Sequence, residues 1–162
     1  MTRSTCIALG LMWLVSATAY AVDYRLEVLK ESPPSDDLSA EFTAKLDTSG
    51  FRIVRGEKTP YCDIWLCKEL EVAADVKLPS MVCYPFRQGQ LMGVARYARN
   101  ARDFRDQEIA AGLYTLRFAL QPTDGAHEGV FPTRDFLLLV SAEKDTSAAD
   151  MKQEKQLNEL SA

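Results

Sequence analysis

His127 is the only histidine in the chain, and it sits in a loop that also carries Asp124, Glu128 and the adjacent pair Arg134-Asp135. The stretch QPTDGAHEGVFPTRDF, residues 121–136, thus gathers an imidazole, several carboxylates and a guanidinium between two apolar segments. Imidazole is the side chain whose ordinary titration falls near neutrality. Hydrogen-bonded to Asp124 or Asp135, it would be a general base. Carboxylate oxygens with one imidazole also suit a divalent cation, which makes Asp124, His127 and Glu128 the candidate metal ligands, at a spacing that matches no established metal motif. Arg134 would then be an anion clamp or a brace for the loop. A plainer account competes: Asp124-Gly125 is a strong turn signal, and Asx-turn chemistry explains most of these residue types without a ligand. The span from Pro122 to Arg134 is still long for a connection inside a compact domain, and such loops tend to be functional or disordered.

Two further constellations carry chemistry. In YCDIWLC, residues 61–67, strand alternation puts Tyr61, Asp63 and Trp65 on one side and Cys62, Ile64 and Leu66 on the other. Facing outward, Asp63 between two rings would dock a sugar or a protein partner. The usual burial of Trp favours the core instead. RDFRDQE, residues 102–108, is dense in alternating charge, which normally marks a solvated face with weak internal ion pairs. Its functional version has Arg105 or Gln107 reach the His127 loop.

The familiar enzyme signatures are missing. The sequence has no G-x-S-x-G, no phosphate-binding G-x-x-x-x-G-K, no G-x-G-x-x-G and no H-E-x-x-H. With one histidine, Ser-His-Asp catalysis would run wholly through His127. No organic cofactor is expected.

The N-terminus MTRSTCIALGLMWLVSATAYA has a positive start at Arg3, a short apolar run and a small-x-small site at Ala19-Tyr20-Ala21. It reads as a signal peptide, residues 1–21, followed by a periplasmic or secreted domain. The apolar run is shorter than the ~20 residues of a spanning helix, so no stable membrane insertion is expected after cleavage. The whole sequence carries a net charge of −4, and loss of Arg3 makes it more acidic. Without a basic cluster, nucleic acid is not an expected partner. Export permits a disulfide; Cys62 and Cys67 should point to opposite faces of one strand, which leaves Cys83 with Cys62 or Cys67, or three free thiols.

The elements that must position these groups read mainly as strands. Residues 24–30, 61–67, 89–97 and 113–121 have extended patterns, and 135–142 is nearly continuous apolar, as for a central strand covered on both faces. AEFTAKL, residues 40–46, alternates and, with the turn Asp47-Thr48-Ser49-Gly50 and FRIVR, reads as a hairpin. Residues 68–76 and 99–110 would tolerate helix. Ser147-x-x-Asp150 before KQEKQLNEL resembles a capping box opening a solvated tail helix over 146–162. The expected architecture over 22–145 is all-β: an immunoglobulin-like antiparallel β-sandwich, followed by that short C-terminal helix.

AGLYTLRFALQPTDGAHEGVFPTRDFLLL, residues 111–139, with DIWL (63–66) and DFRDQEI (103–109), resembles a family of exported planctomycete-type bacterial proteins of unknown function. The resemblance implies a compact secreted β-sandwich and no activity. The function expected is non-enzymatic binding of a ligand or envelope protein through the 122–135 loop, joined by Asp63, Trp65 and Arg105. The alternatives are a His127-dependent hydrolase or lyase, a cation-binding protein, and a structural subunit of an envelope assembly.

Overall fold

The computed structural model describes residues 23–72, 77–103, 105–121, 132–151 and 159. The expected signal peptide, the loop residues Asp124, His127 and Glu128, and most of the expected tail helix lie outside the described residues.

In chain order the elements are β1 Tyr24–Leu29, α1 Ala40–Lys45, β2 Gly50–Arg55, β3 Thr59–Leu66, β4 Leu91–Tyr97, β5 Ala101–Arg102, β6 Glu108–Ile109, β7 Gly112–Leu120 and β8 Asp135–Ser141. The chain is mostly antiparallel β-sheet with little helix. Six strands form one sheet in the order β1-β2-β3-β4-β7-β8, and β5 and β6 form a separate two-stranded ribbon. The order is an up-and-down meander, interrupted only by the ribbon between β4 and β7. The Greek-key crossovers of an immunoglobulin domain are not among the described pairings. Residues 99–110, which would have tolerated helix, are the turn and ribbon instead.

Cross-strand partners share a face, so the register sorts the side chains. On one face lie Leu29, Arg52, Asp63, Trp65, Val94, Arg96, Thr115, Arg117 and Val140. The apolar members of this face pack with Leu38, Phe42, Leu46 and Ala148, which reach it from α1, its flanks and the C-terminal segment. Residues 40–46 are therefore a helix with its C-cap, not the strand that their alternation predicts. Phe42 and Leu46 satisfy period two and the i, i+4 spacing of a helix equally, and both are buried, whereas Ala40 and Ala44 are exposed. The helix begins after Ser39, with Thr43 Oγ1 bonded back to the Ser39 carbonyl at 2.9 Å. The turn chemistry that follows was legible: the Asp47 carboxylate accepts from the Ser49 N–H at 3.0 Å.

The opposite face buries Met92, Ala95, Leu116 and Phe118, and Ala101, Ile109 and Tyr114 beneath the ribbon. Its cover thins toward β1 and β2, where Leu26, Val28 and Phe51 stay exposed. DFLLLVS was expected to be a central strand. It is instead the last strand of the sheet, paired with β7 alone among the described residues, and Leu137 is half exposed.

The C-terminal segment up to Met151 does not stand off as a solvated tail. Ala148 and Met151 are buried, and the Met151 N–H donates to the Gly89 carbonyl at 3.2 Å. Gly89 is in the left-handed region at φ +74°, and a Cβ there would lie 2.0 Å from the Met151 carbonyl oxygen. Only glycine lets the segment cross at that distance. The Ser147 hydroxyl accepts from Ala149 N–H, and Asp150 pairs with Arg87 at 2.6 Å, so these residues tie the segment down.

Candidate functional site

The sequence-predicted residues divide between the two ends of the sheet. Asp63 and Trp65 sit side by side on the α1-covered face, and both are buried. Asp63 receives Arg52 Nε and Nη2 at 2.6 and 3.0 Å and Arg96 Nη2 at 2.7 Å. Arg96 also lies over the Trp65 ring at 5.1 Å, and the indole N–H donates to the Glu31 carbonyl at 2.8 Å. Every partner of these two side chains is part of the fold, so their role here is architectural. Burial raises the Asp63 pKa, but the hydrogen bonds from Arg52 and Arg96 outweigh it and hold the group below the ordinary carboxylate value. A depressed pKa contributes stability that is present above the unfolded value and lost as pH falls through the folded one. Acid denaturation should therefore expose this loss below about pH 4. Asp63→Asn, measured by urea unfolding, should lower stability by about 2 kcal/mol at pH 7 and flatten the acid dependence.

Arg134 and Asp135 brace the base of the 121–134 connection. Arg134 donates its main-chain N–H to the Met81 carbonyl at 2.7 Å and Nε to the Gln121 carbonyl at 2.8 Å. The Asp135 carboxylate accepts from the N–H groups of Cys83 and Tyr84 at 2.8 and 3.0 Å. Both Asp135 oxygens are thus committed to main chain. Beside it lies an apolar cleft of about 240 Å³ formed by Tyr84, Phe86, Met92, Phe118, Phe136 and Leu137.

Cys62, Cys67 and Cys83 are all free thiols, so neither expected pairing of Cys83 is present. The first is buried, the second half-buried and the third exposed. Burial pushes the Cys62 thiol up to about 11 and the Cys67 thiol up as well, which keeps both unreactive near neutrality.

The most heavily bonded polar group was not anticipated. Arg117 and Asp145 are both fully buried. Arg117 Nε and Nη2 grip the Asp145 carboxylate at 2.8 and 2.9 Å, and Nη1 donates to the carbonyls of Gly89 and Ala149 at 3.1 and 2.8 Å. Nη2 also donates to the Ser147 carbonyl, and Thr115 Oγ1 donates to Asp145. Every guanidinium donor is satisfied, which a buried arginine requires. The signal in the sequence was an arginine inside the apolar run LYTLRFAL.

Arg105 lies at the tip of the β5–β6 ribbon, at the opposite end of β7 from the 121–134 connection. β7 runs for nine residues between them, roughly 25 Å of extended chain. The ribbon instead forms one wall of a cleft of about 600 Å³. Tyr24, Arg55, Thr59, Pro60 and Tyr61 from the ends of β1–β3 face Arg99, Asn100 and the ribbon residues Arg102, Asp103, Asp106 and Glu108. Tyr24 and Tyr61 meet edge to face at 5.5 Å and 83°, and Tyr61 packs likewise on Tyr97. The Tyr61 hydroxyl donates to the Arg102 carbonyl, which fixes the ribbon against the sheet.

The charges of the cleft are unequally committed. Asp103 Oδ1 accepts from the N–H groups of Arg105 and Gln107, each at 2.8 Å, and shapes the ribbon turn. Asp106, at φ +65°, pairs with Arg102 at 3.2 Å, and Glu108 accepts from the Asn100 amide at 2.7 Å. Arg55 and Arg99 have no ion-pair partner among the described residues; Arg99 makes only a long bond to the Pro60 carbonyl at 3.4 Å. The acids are thus engaged within the wall, while Arg55 and Arg99 line the same cleft as Tyr24 and Tyr61.

Among the described residues no group of three or more His, Cys, Asp or Glu side chains is placed to hold a metal, and the candidates Asp124, His127 and Glu128 lie outside those residues. No helix among the described residues is long and apolar enough to cross a membrane. No protein-family model matches the chain, and no curated protein or solved structure is significantly similar to it.

Proposed function

We propose that this chain is an exported binding module, of the planctomycete-type group it resembles, whose working surface is the cleft between the β1–β3 ends and the β5–β6 ribbon. Its architecture is an open-faced β-sandwich, with α1 and the C-terminal segment in place of much of a second sheet. One observation carries the functional reading: Arg55 and Arg99 line a cleft with Tyr24 and Tyr61 and have no carboxylate partner among the described residues. A guanidinium recognises carboxylate or phosphate through paired N–H donors, and tyrosine faces accept flat or sugar rings. The volume falls within the range of small-ligand sites. The ligand class is therefore an anion carried on a ring, for which an oligogalacturonate is a suitable probe. Arg134, Asp135, Asp63 and Trp65 support the fold around this function, and Arg105 shapes the wall.

Calorimetric titration with oligogalacturonate should give a saturable, salt-sensitive isotherm. Arg55→Gln and Arg99→Gln should each weaken it about tenfold, the effect of losing one charged hydrogen-bonding partner, with the melting temperature unchanged. Titration with the neutral oligosaccharide should give no comparable isotherm. Affinity unchanged from wild type in both variants, or preference for the neutral sugar, contradicts the assignment.

A further inference from the structure

β1 is hydrogen-bonded only on its β2 side among the described residues. The Gly56 N–H donates to the Asp23 carbonyl at 2.8 Å, which continues the β1–β2 ladder. In an antiparallel pair the main-chain groups of successive residues point to alternate sides. Those of Asp23, Arg25, Glu27 and Leu29 therefore point to β2, and those of Tyr24, Leu26 and Val28 point to the open edge. One face of this edge strand is apolar and uncovered, with Leu26 64% and Val28 72% exposed, and the other carries exposed Arg25 and Glu27. An open edge of regular strand invites another strand.

We propose that the strand is β1 of a second copy, paired antiparallel about a two-fold axis at Leu26. The charges select both partner and register. With Leu26 opposite Leu26, Tyr24 faces Val28 of the second copy, and Arg25 faces its Glu27 in both directions. Sliding by two residues one way sets Arg25 against Arg25, and the other way sets Glu27 against Glu27. Like charges directly opposed destabilise a pair, and opposite charges stabilise it. Odd shifts would put side chains of one sheet face opposite those of the other. Arg25 and Glu27 already lie on one face, in contact at 2.9 Å, so the interface carries a closed group of four alternating charges. The isologous pairing joins two six-stranded sheets into one continuous sheet and leaves no β1 edge. Because Tyr24 lines the cleft, the two clefts flank the axis, with their tyrosines separated along the strands by roughly 13 Å. The pairing stands independently of what the cleft binds.

Sedimentation velocity on the purified chain across the micromolar range should show a concentration-dependent shift to the mass of two chains. Leu26→Pro removes an outward N–H, which an edge strand tolerates, and should sediment as one chain with an unchanged far-ultraviolet spectrum. Arg25→Glu and Glu27→Lys should each be monomeric alone, and an equal mixture should restore the dimer. A wild-type chain that stays monomeric overturns the proposal, as does a folded Leu26→Pro chain that dimerises like wild type. If Leu26→Pro fails to fold, the charge variants decide: a mixture that remains monomeric overturns the pairing.

Discussion

Arg117→Ala is expected to lower the stability of the folded chain by about 3–5 kcal/mol, because it leaves the Asp145 carboxylate buried and unpaired. The loss extends beyond the ion pair. Arg117 also holds the carbonyls of Gly89, Ser147 and Ala149, so its removal orphans acceptors on both sides of the contact between the 88–90 turn and the C-terminal segment. Set against a typical domain stability of about 5–15 kcal/mol, this is a large share of the total. Urea unfolding followed by circular dichroism measures it. Removing both charges together, as in Arg117→Met with Asp145→Leu, should recover much of the loss, since a buried pair can often be replaced by apolar residues of similar volume. A single replacement costing under about 1 kcal/mol, the range of an exposed pair, would contradict the buried clamp.

Trp65→Ala should be nearly as damaging, at about 3–5 kcal/mol, the usual cost of emptying an aromatic core site. Trp65 is fully buried against Leu29, Phe42, Leu46, Leu91 and Val94. It joins the sheet to α1 by packing and to the loop after β1 through its bond to the Glu31 carbonyl. Its bed is also fixed, because a Cβ at Gly50 would lie 2.8 Å from the indole. Trp65→Phe separates the contributions: it keeps most of the apolar contact and should cost about 1–3 kcal/mol for the reduced volume and the lost indole hydrogen bond. Thermal and urea unfolding of the two variants should rank alanine well below phenylalanine. Equal stability would mean that Trp65 does not anchor α1.

Much of the strand pattern was legible because an antiparallel meander writes its faces into alternation. β3, β4 and β7 lie within two or three residues of where the sequence puts them, and the shared face of Asp63 and Trp65 follows from period two alone. Tyr61, expected beside them, instead packs with Tyr97 and Tyr114 on the opposite face, because the β2–β3 register shifts between Ile53 and Val54. The errors have physical causes. In AEFTAKL, alanines carry little information about period, so Phe42 and Leu46 alone had to distinguish helix from strand. In DFLLLVS, apolar continuity mimicked two-sided burial, whereas β8 ends the sheet and leaves Leu137 half exposed. The Arg117 clamp was not legible because its acidic partner, Asp145, lies 28 positions away in sequence. The cleft was hidden for a similar reason: Arg55, Arg99 and Tyr24 come from three separate segments, and only the meander brings their ends together. The Arg105 segment was singled out for its charge, and that charge serves mainly to shape the ribbon turn.

The assignment of function to the cleft is tested most directly by two-dimensional amide NMR of the isotopically labelled chain titrated with oligogalacturonate. The account predicts shifts concentrated at Thr59 and Tyr61 and across residues 99–103 and 105–108, with residues 132–136 at the far end of the sheet unmoved. Shifts centred on 132–136, with the ribbon silent, would contradict it and return the working surface to the His127 loop.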